Sequence, residues 1–456
     1  MSLSALVFLI LFLVGSCLAF ARHPIYGLIT YVATYYLSPP MRWWGASLPD
    51  LRWSLVAALV TLIAVLVQRN KLAPNIPLLR QRVMVGLALF LAWIALGSLW
   101  ALDSAAHLEL LFLWAKYVLL AALIYRCIDS ERHLQLFMWA HFAGCAYLGW
   151  IAYTTSAGGR FEGFGSPDID EANSGALVMV TGVLVGSSLF QLSKLRGRLI
   201  LLAGLPLIVN ALVLTISRSG FLALGSGGIL YNLFTPRKAR LRVAVLSALA
   251  LIMFLLLTNQ QYWTRISSLE LAGQQVEGVD TGAGRVDLVH AQWRMFAQHP
   301  FGCGHRCTAV LSRQFLPDSE LTGTGATRAR SSHSTPMTML VEHGIPGILL
   351  YLVLIVWLVR SMLTLSRSVR GKQGLLPTLV PAVAGIMGAM LIGDLFVDYL
   401  ILEARVWFIA IVMVMLNLSA APRAVAVPAG RQTGSATRSR PAAAALRQRD
   451  GRRGEM

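Results

Sequence analysis

Runs of roughly 17–20 predominantly apolar residues recur along the chain, and each is long enough to cross a hydrocarbon core about 30 Å thick. They predict spanning helices near residues 3–20, 52–68, 83–100, 108–125, 134–154, 174–192, 198–215, 219–234, 242–258, 337–359, 376–395 and 401–419. A closed barrel would show shorter segments of alternating apolar and polar residues instead. The pattern therefore predicts an all-α polytopic integral membrane protein with about 12 transmembrane helices. One further apolar stretch, 24–38, holds Pro24 and ends at Pro39-Pro40.

Loop charge decides how that stretch is placed. The connections at 68–82, 126–133, 193–198, 236–242 and 360–372 are basic, with Arg69, Lys71, Arg126, Arg132, Lys194, Arg198, Arg237, Lys238, Arg367 and Lys372 among them. They alternate with connections poor in Lys and Arg. Cytoplasmic loops hold the positive excess, so consistent alternation asks for an odd number of crossings before the helix near residue 52. On this reading 24–38 is interfacial or re-entrant, and both termini are cytoplasmic. The expected organisation is about nine helices over 1–258, one large periplasmic loop at 259–336, three helices over 337–419, and a basic tail at 420–456. The tail is rich in Ala, Arg, Pro and Ser without apolar periodicity, the composition of a disordered segment.

Composition supports a membrane chain. Of 456 residues, 56% are hydrophobic and only 13% are charged, too little polar surface for a soluble protein. The formal net charge of +18 would point a soluble protein towards nucleic acid. Here the basic residues fall in short loops and the tail, where orientation and anionic membrane lipids account for them, and no nucleic-acid partner is expected.

Within the long loop, Arg285 to His299 reads as an amphipathic helix suited to the membrane surface, with Val286, Val289, Trp293 and Phe296 at helical spacing. Cys303 and Cys307 sit together after it and would pair in an oxidising compartment. With His305 between them a metal site is the alternative, although the four ligands of a closed zinc site are not apparent.

A few polar residues carry the chemistry. Arg218, in Ser217-Arg218-Ser219-Gly220, sits in a tight turn between two apolar helices. Its alternative is a snorkelling anchor, but an arginine on the face that positive-inside bias depletes points to function. Arg285 opens the amphipathic helix, where free backbone N–H groups and a guanidinium fork suit a phosphate. His333, in Ser332-His333-Ser334-Thr335-Pro336, precedes the helix near Met337; a neutral imidazole can take a proton from a sugar hydroxyl, or simply cap the helix. Glu342 is an acid inside a membrane segment, expected to be paired with an arginine, the histidine or a neighbouring helix. The loop from Gly158 to Asn173 adds Arg160 for a phosphate and the acids Asp168, Asp170 and Glu171 for sugar hydroxyls. Lys116, Asp394 and Asp398 are expected to pair internally. There is no Walker-type loop, His-Glu-x-x-His pair, Gly-x-Ser-x-Gly elbow or dinucleotide fingerprint, and no cofactor is expected.

Taken together, these blocks resemble the O-antigen ligase and polymerase superfamily. Ser217-Arg218-Ser219-Gly220 resembles its Ser-Arg-x-Gly turn. Gly284-Arg285 through His299-Pro300-Phe301-Gly302-Cys303-Gly304 resembles its Gly-Arg…His-Pro-x-x-Gly-x-Gly block. His333 with Leu340, Glu342, Gly344 and Gly347 resembles its His-Asn…Leu-x-Glu-x-Gly-x-x-Gly block, with Ser334 where asparagine is frequent. Gly163 to Asn173 and Ala176 is similar to an upstream Gly…Asn-x-x-Ala element. The front, from His23-Pro24 to Trp43-Trp44-Gly45, is similar to protein O-glycosylation ligases of the same superfamily.

The resemblance implies a GT-C-like, metal-independent glycosyltransferase at the periplasmic face of the inner membrane. The implied donor is an undecaprenyl-diphosphate-linked glycan and the implied acceptor is a sugar hydroxyl of lipid A-core. His333, Arg218 and Arg285 are the expected catalytic residues, with Arg160, Asn173 and Glu342 binding substrate. Polymerisation of repeat units, transfer to a protein hydroxyl, and transport of the lipid-linked glycan without chemistry are the competing readings.

Overall fold

A computed structural model describes residues 2–73, 75–166, 168–258, 263, 283–322 and 328–420; the expected tail and much of the long loop lie outside them. The described residues are helical, with one isolated β-bridge, Thr322 to Ala329. The helices are α1 (Leu3–Ala21), α2 (Ile25–Leu37), α3 (Trp53–Val67), α4 (Arg82–Gly97), α5 (Ser104–Cys127), α6 (Glu131–Thr155), α7 (Ala172–Leu192) and α8 (Leu195–Leu214), then α9 (Arg218–Phe234), α10 (Arg240–Leu257), α11 (Ala283–Gln298), α12 (Cys307–Phe315), α13 (Thr335–Glu342), α14 (Gly344–Ser368), α15 (Leu375–Gly393) and α16 (Glu403–Ala420).

Eight of these helical segments are long and apolar enough to cross a membrane, and α3 and α4 are shorter apolar helices. The chain is a multi-pass membrane protein. The bundle is built around α7 and α15, each 78% buried over its apolar window, whereas α1 and α10 are 22% and 13% buried and form the rim. Small residues bring the central helices together. A Cβ on Gly385 of α15 would lie 2.6 Å from the Gly227 carbonyl of α9, so these backbones touch where only glycine fits.

Contacts between loops define two ends. At one end His23 and His133 meet Asp129, Gln68 Nε2 donates to the Ala19 and Phe20 carbonyls at 2.6 and 3.0 Å, and Asn417 Nδ2 donates to Asn75 at 2.9 Å. At the other, the Leu102 N–H donates to the Cys303 carbonyl and the Phe161 N–H to the Leu214 carbonyl. Helix α5, with 24 residues, joins the two and is about 36 Å long.

This frame changes the reading of 24–38. Those residues form α2, which packs between α1, α3 and α6 with Ile25, Leu28, Val32 and Tyr36 buried. Its start adjoins the His23–Asp129 contact. Its end lies at the opposite pole, where Tyr35 Oη donates to Asp168 at 3.0 Å and Arg42 Nη2 to the Phe164 carbonyl at 2.8 Å. The stretch is a pass through the bundle rather than interfacial or re-entrant. Loop charge failed here because the α1–α2 and α2–α3 connections carry too few basic residues to register the extra reversal.

The helix expected over 337–359 is broken. Residues Thr335–Glu342 form α13, His343 leaves helical geometry at φ −115°, ψ −2°, and Gly344 restarts α14 at φ +65°. The cause is the Phe301-Gly302 backbone, which fills the space against the break: a Cβ on Gly344 would lie 2.2 Å from the Phe301 carbonyl carbon.

The amphipathic helix is present as α11, but its core-facing stripe is Leu288, Ala291 and Met295, packed on Cys303, Cys307, Leu311 and Val341. Val286 and Trp293, part of the expected apolar face, stay exposed.

The α2 pass makes a topological prediction. In a Cys17→Ser background, a membrane-impermeant maleimide should label Ser2→Cys from the same side as Ser331→Cys, and Asn70→Cys from the opposite side. Labelling of Ser2→Cys on the Asn70 side would overturn it.

Candidate functional site

Arg218 is the first residue of α9, and the turn before it is strained. Ile216 has φ +45°, in the left-handed region that a β-branched side chain enters only at a cost. The Phe161 N–H donates to Leu214 at 2.8 Å and brings the Arg160 loop alongside. Ser217 caps α9, accepting the Gly220 N–H at 3.1 Å and donating its own hydroxyl to Asn173 Oδ1 at 2.7 Å. Ser219 donates to the same oxygen at 3.3 Å. Asn173 thus grips the turn on both sides of Arg218, whose side chain is largely buried.

His333 is placed by the start of α13, two residues further along the chain. The Thr335 N–H donates to the Asp394 carbonyl at 2.8 Å and its hydroxyl to Asp394 Oδ1 at 2.9 Å. Asp394 is fully buried and receives two N–H bonds from Arg405, at 2.9 and 2.7 Å, and the Tyr351 hydroxyl at 2.8 Å. Tyr399 then closes the distance between the two motifs. Its N–H donates to Thr335 Oγ1 at 2.9 Å, and its hydroxyl donates to the Asn173 carbonyl at 3.2 Å. A continuous hydrogen-bonded path therefore runs from the Ser217–Arg218 turn through Asn173 and Tyr399 to Thr335, close to His333.

Arg285 enters from α11. Seven residues on, about two turns along the same face, Gln292 Nε2 donates to Ser332 Oγ at 3.0 Å, beside His333. His333 itself is exposed and makes no hydrogen bond to the described residues. The protein packed on its inner side and the positive charges of Arg285 and Arg330 hold its imidazole below the ordinary histidine range. It is consequently neutral at pH 7, the form able to accept a proton.

Other expected contributors have different tasks. Glu342 meets neither His333 nor an arginine side chain: its Oε2 accepts His305 Nδ1 at 3.0 Å and the Arg306 N–H at 2.9 Å. It anchors the loop closed by the Cys303–Cys307 disulfide, and His305 is thereby occupied, so the Cys-His metal alternative has no support in the geometry. Arg160 lies 3.5 Å from Glu162 in an accessible loop. Asp168 and Asp170 pin that loop instead of facing solvent. Asp168 accepts the Tyr35 hydroxyl and the Glu403 N–H, and Asp170 accepts the Gly165 N–H, at 3.0, 2.8 and 2.8 Å. Burial pushes the Asp168 carboxyl above its ordinary value.

Among the described residues, His23, Asp129 and His133 alone cluster in the manner of metal ligands, at the far end of the bundle. His23 Nδ1 accepts the Ile25 N–H at 3.1 Å, so its Nε2 keeps a proton and donates to Asp129 at 3.3 Å. His133 Nδ1 at 2.7 Å and the Ala73 N–H at 3.2 Å complete the carboxylate's shell. Burial alone would raise this carboxyl, yet the three donors hold it below the usual range. The trio is a hydrogen-bonded clasp rather than an open ligand set.

Two residues that the fold brings to this end were not singled out from the sequence: Tyr399, which joins Thr335 to Asn173, and Arg330, whose charge acts on His333. A signal did exist for Asp394 and Arg405, opposite charges flanking a short connection between apolar helices.

The Asp394–Arg405 pair yields a stability prediction. Arg405→Leu leaves a buried carboxylate without its cation and should cost about 3–5 kcal/mol. The double variant with Asp394→Asn should recover part of that loss in thermal unfolding in detergent.

Residues 201–352, from within α8 to within α14, match the family model described as O-antigen ligase. No curated protein matches the chain. The matched segment contains Arg218, Arg285, His333 and Glu342, polar residues that the fold gathers at one end of the bundle, and over this segment the chain is similar to the O-antigen ligase family.

Proposed function

We propose that the protein transfers a glycan from undecaprenyl diphosphate to a sugar hydroxyl of lipid A-core, without a metal and with inversion. The observation that carries this reading is the hydrogen-bonded path from Asn173 through Tyr399 to Thr335, which ties the Arg218 turn to the His333 segment while α11 delivers Arg285 to the same segment. In the reaction the acceptor oxygen bonds to the anomeric carbon and its proton passes to the neutral imidazole of His333. The bond from that carbon to the diphosphate oxygen breaks, and the leaving group takes the electron pair. Negative charge grows on the diphosphate in the transition state, where Arg218 and Arg285 stabilise it. Arg160 is the accessible third candidate, Asn173 holds the turn, and Glu342 is left with its anchoring part.

Two features support the setting. Basic loops crowd the Asp129 end, which positive-inside bias assigns to the cytoplasm, so the site end faces the periplasm of an inner-membrane enzyme. A cavity of about 370 Å³ lined by Phe90, Trp114 and Met339 runs from Thr335 and Leu400 towards Arg82 and Arg360, an apolar channel open to an isoprenoid tail. Together the 259–336 loop and the helices on either side make the catalytic unit.

Purified protein given undecaprenyl-diphosphate-linked glycan and lipid A-core, with chelator and no nucleotide, should form lipopolysaccharide. His333→Ala and Arg285→Gln should each lower turnover by about 100-fold or more, the scale of general-base or charge-stabilising groups. Turnover needs neutral His333, so it should fall with acid only below the ordinary histidine value of about 6.5. Extension of the donor glycan, or transfer to a protein hydroxyl, would replace lipid A-core as acceptor; loss of activity on chelation would remove the metal-free mechanism.

A further inference from the structure

We propose that Arg330 is a further arginine of the donor site, binding the diphosphate together with Arg285; this rests on the reading that the site takes a lipid-linked diphosphate. Its backbone is fixed, because its N–H donates to Ser312 Oγ of α12 at 2.9 Å. Its side chain is held at one corner only. Nη1 donates to the Glu320 carbonyl at 3.0 Å, and the Glu320 carboxylate is 3.9 Å away. Nε is buried and has no hydrogen-bond partner among the described residues. The Nε–Nη2 edge, a side-on fork spaced for two phosphate oxygens, makes no hydrogen bond to the described residues. A buried N–H left unsatisfied is costly, and an anion would satisfy it.

The position fits as well as the chemistry. A Cβ on Gly284 would lie 3.4 Å from Arg330 Nη2 and 2.1 Å from Glu320 Oε2, so the first turn of α11 sits directly on this pair and Arg285 is the next residue. The charges of Arg330 and Arg285 both act on His333. The other groups around that histidine do not offset them. Gln292 and Ser332 are neutral, Asp394 is committed to Arg405, Asp398 accepts the Thr338 hydroxyl, and Glu320 faces Arg330. A bound diphosphate would therefore cancel the two cations beside His333 and make the imidazole a stronger base, so that donor binding prepares the site for the acceptor.

The test uses full-length protein in nanodiscs and calorimetric titration with inorganic pyrophosphate and with undecaprenyl diphosphate. Arg330→Gln should weaken both about tenfold or more, and Arg330→Lys should retain part of the affinity. Glu320→Gln, which removes the partner but keeps the arginine, should bind at least as tightly as wild type, and Arg294→Gln, on the same helix as Arg285, should match wild type. The acid limb of kcat/KM should move to higher pH in Arg330→Gln, because a cation that depresses His333 is gone. Equal weakening in Glu320→Gln and Arg330→Gln with an unmoved limb would assign Arg330 a structural part and overturn the proposal, as would unchanged affinity in Arg330→Gln. Wild type that binds both ligands but transfers no glycan would sink the proposed reaction while leaving the Arg330 assignment standing.

Discussion

The buried carboxylate of Asp394 is the point from which the site end of this protein hangs. It has no contact with solvent, and an anion there survives only because two arginine N–H groups and two hydroxyls replace its water. Each partner is thereby fixed in turn. Thr335 sets the start of α13 and the direction from which His333 emerges. Tyr351 and Arg405 tie α14 and α16 to the end of α15. Tyr399, carried on the same connection, reaches across to Asn173 and fixes the distance to the Arg218 turn. A low-dielectric interior makes such a network rigid when every member is satisfied.

Electrostatics at this end work against a background that is otherwise apolar. Arg218 is held on a turn whose central residue is in an unfavourable conformation, so its place is enforced by Asn173 and the Ser217 cap rather than by local preference. The protein packed against His333, and after it the field of Arg285 and Arg330, keeps the imidazole uncharged and ready to take a proton. The far end uses charge in another way. There Asp129 is saturated by two histidines and a backbone N–H, and it clasps three connections without leaving a coordination position open.

Much of the bundle was legible in the hydropathy pattern because burying apolar length in a membrane leaves few alternatives to a helix. The Arg218, Arg285 and His333 motifs were legible because polar residues at helix starts are rare among such runs. The path of α2 was not, since a pass flanked by nearly neutral loops leaves no charge record. Helix α11 carries two apolar stripes: Leu288, Ala291 and Met295 pack on the protein, while Val286 and Trp293, on the stripe read as suited to the membrane surface, stay exposed, and spacing alone does not reveal the packed stripe. The partners of Glu342 and of the Asp168 loop could not be read from spacing: Glu342 accepts His305 Nδ1 and the Arg306 N–H, Asp168 the Tyr35 hydroxyl and the Glu403 N–H, and Asp170 the Gly165 N–H. Tyr399 and Arg330 depend on contacts between segments far apart in the chain.

Gly302 and Gly344 occupy each other's missing side chains. Both have positive φ, 87° and 65°, and a Cβ on either would collide with the backbone around the other. Forty-odd residues of sequence separate them, yet they behave as a single joint in which neither member can be changed first. Drift at this joint has no single-step route, because the intermediate with one larger residue would push α13, and His333 with it, off the Asp394 anchor. The segment between them is therefore fixed where it begins and where it ends, and His333, Thr335 and Glu342 are held inside those limits.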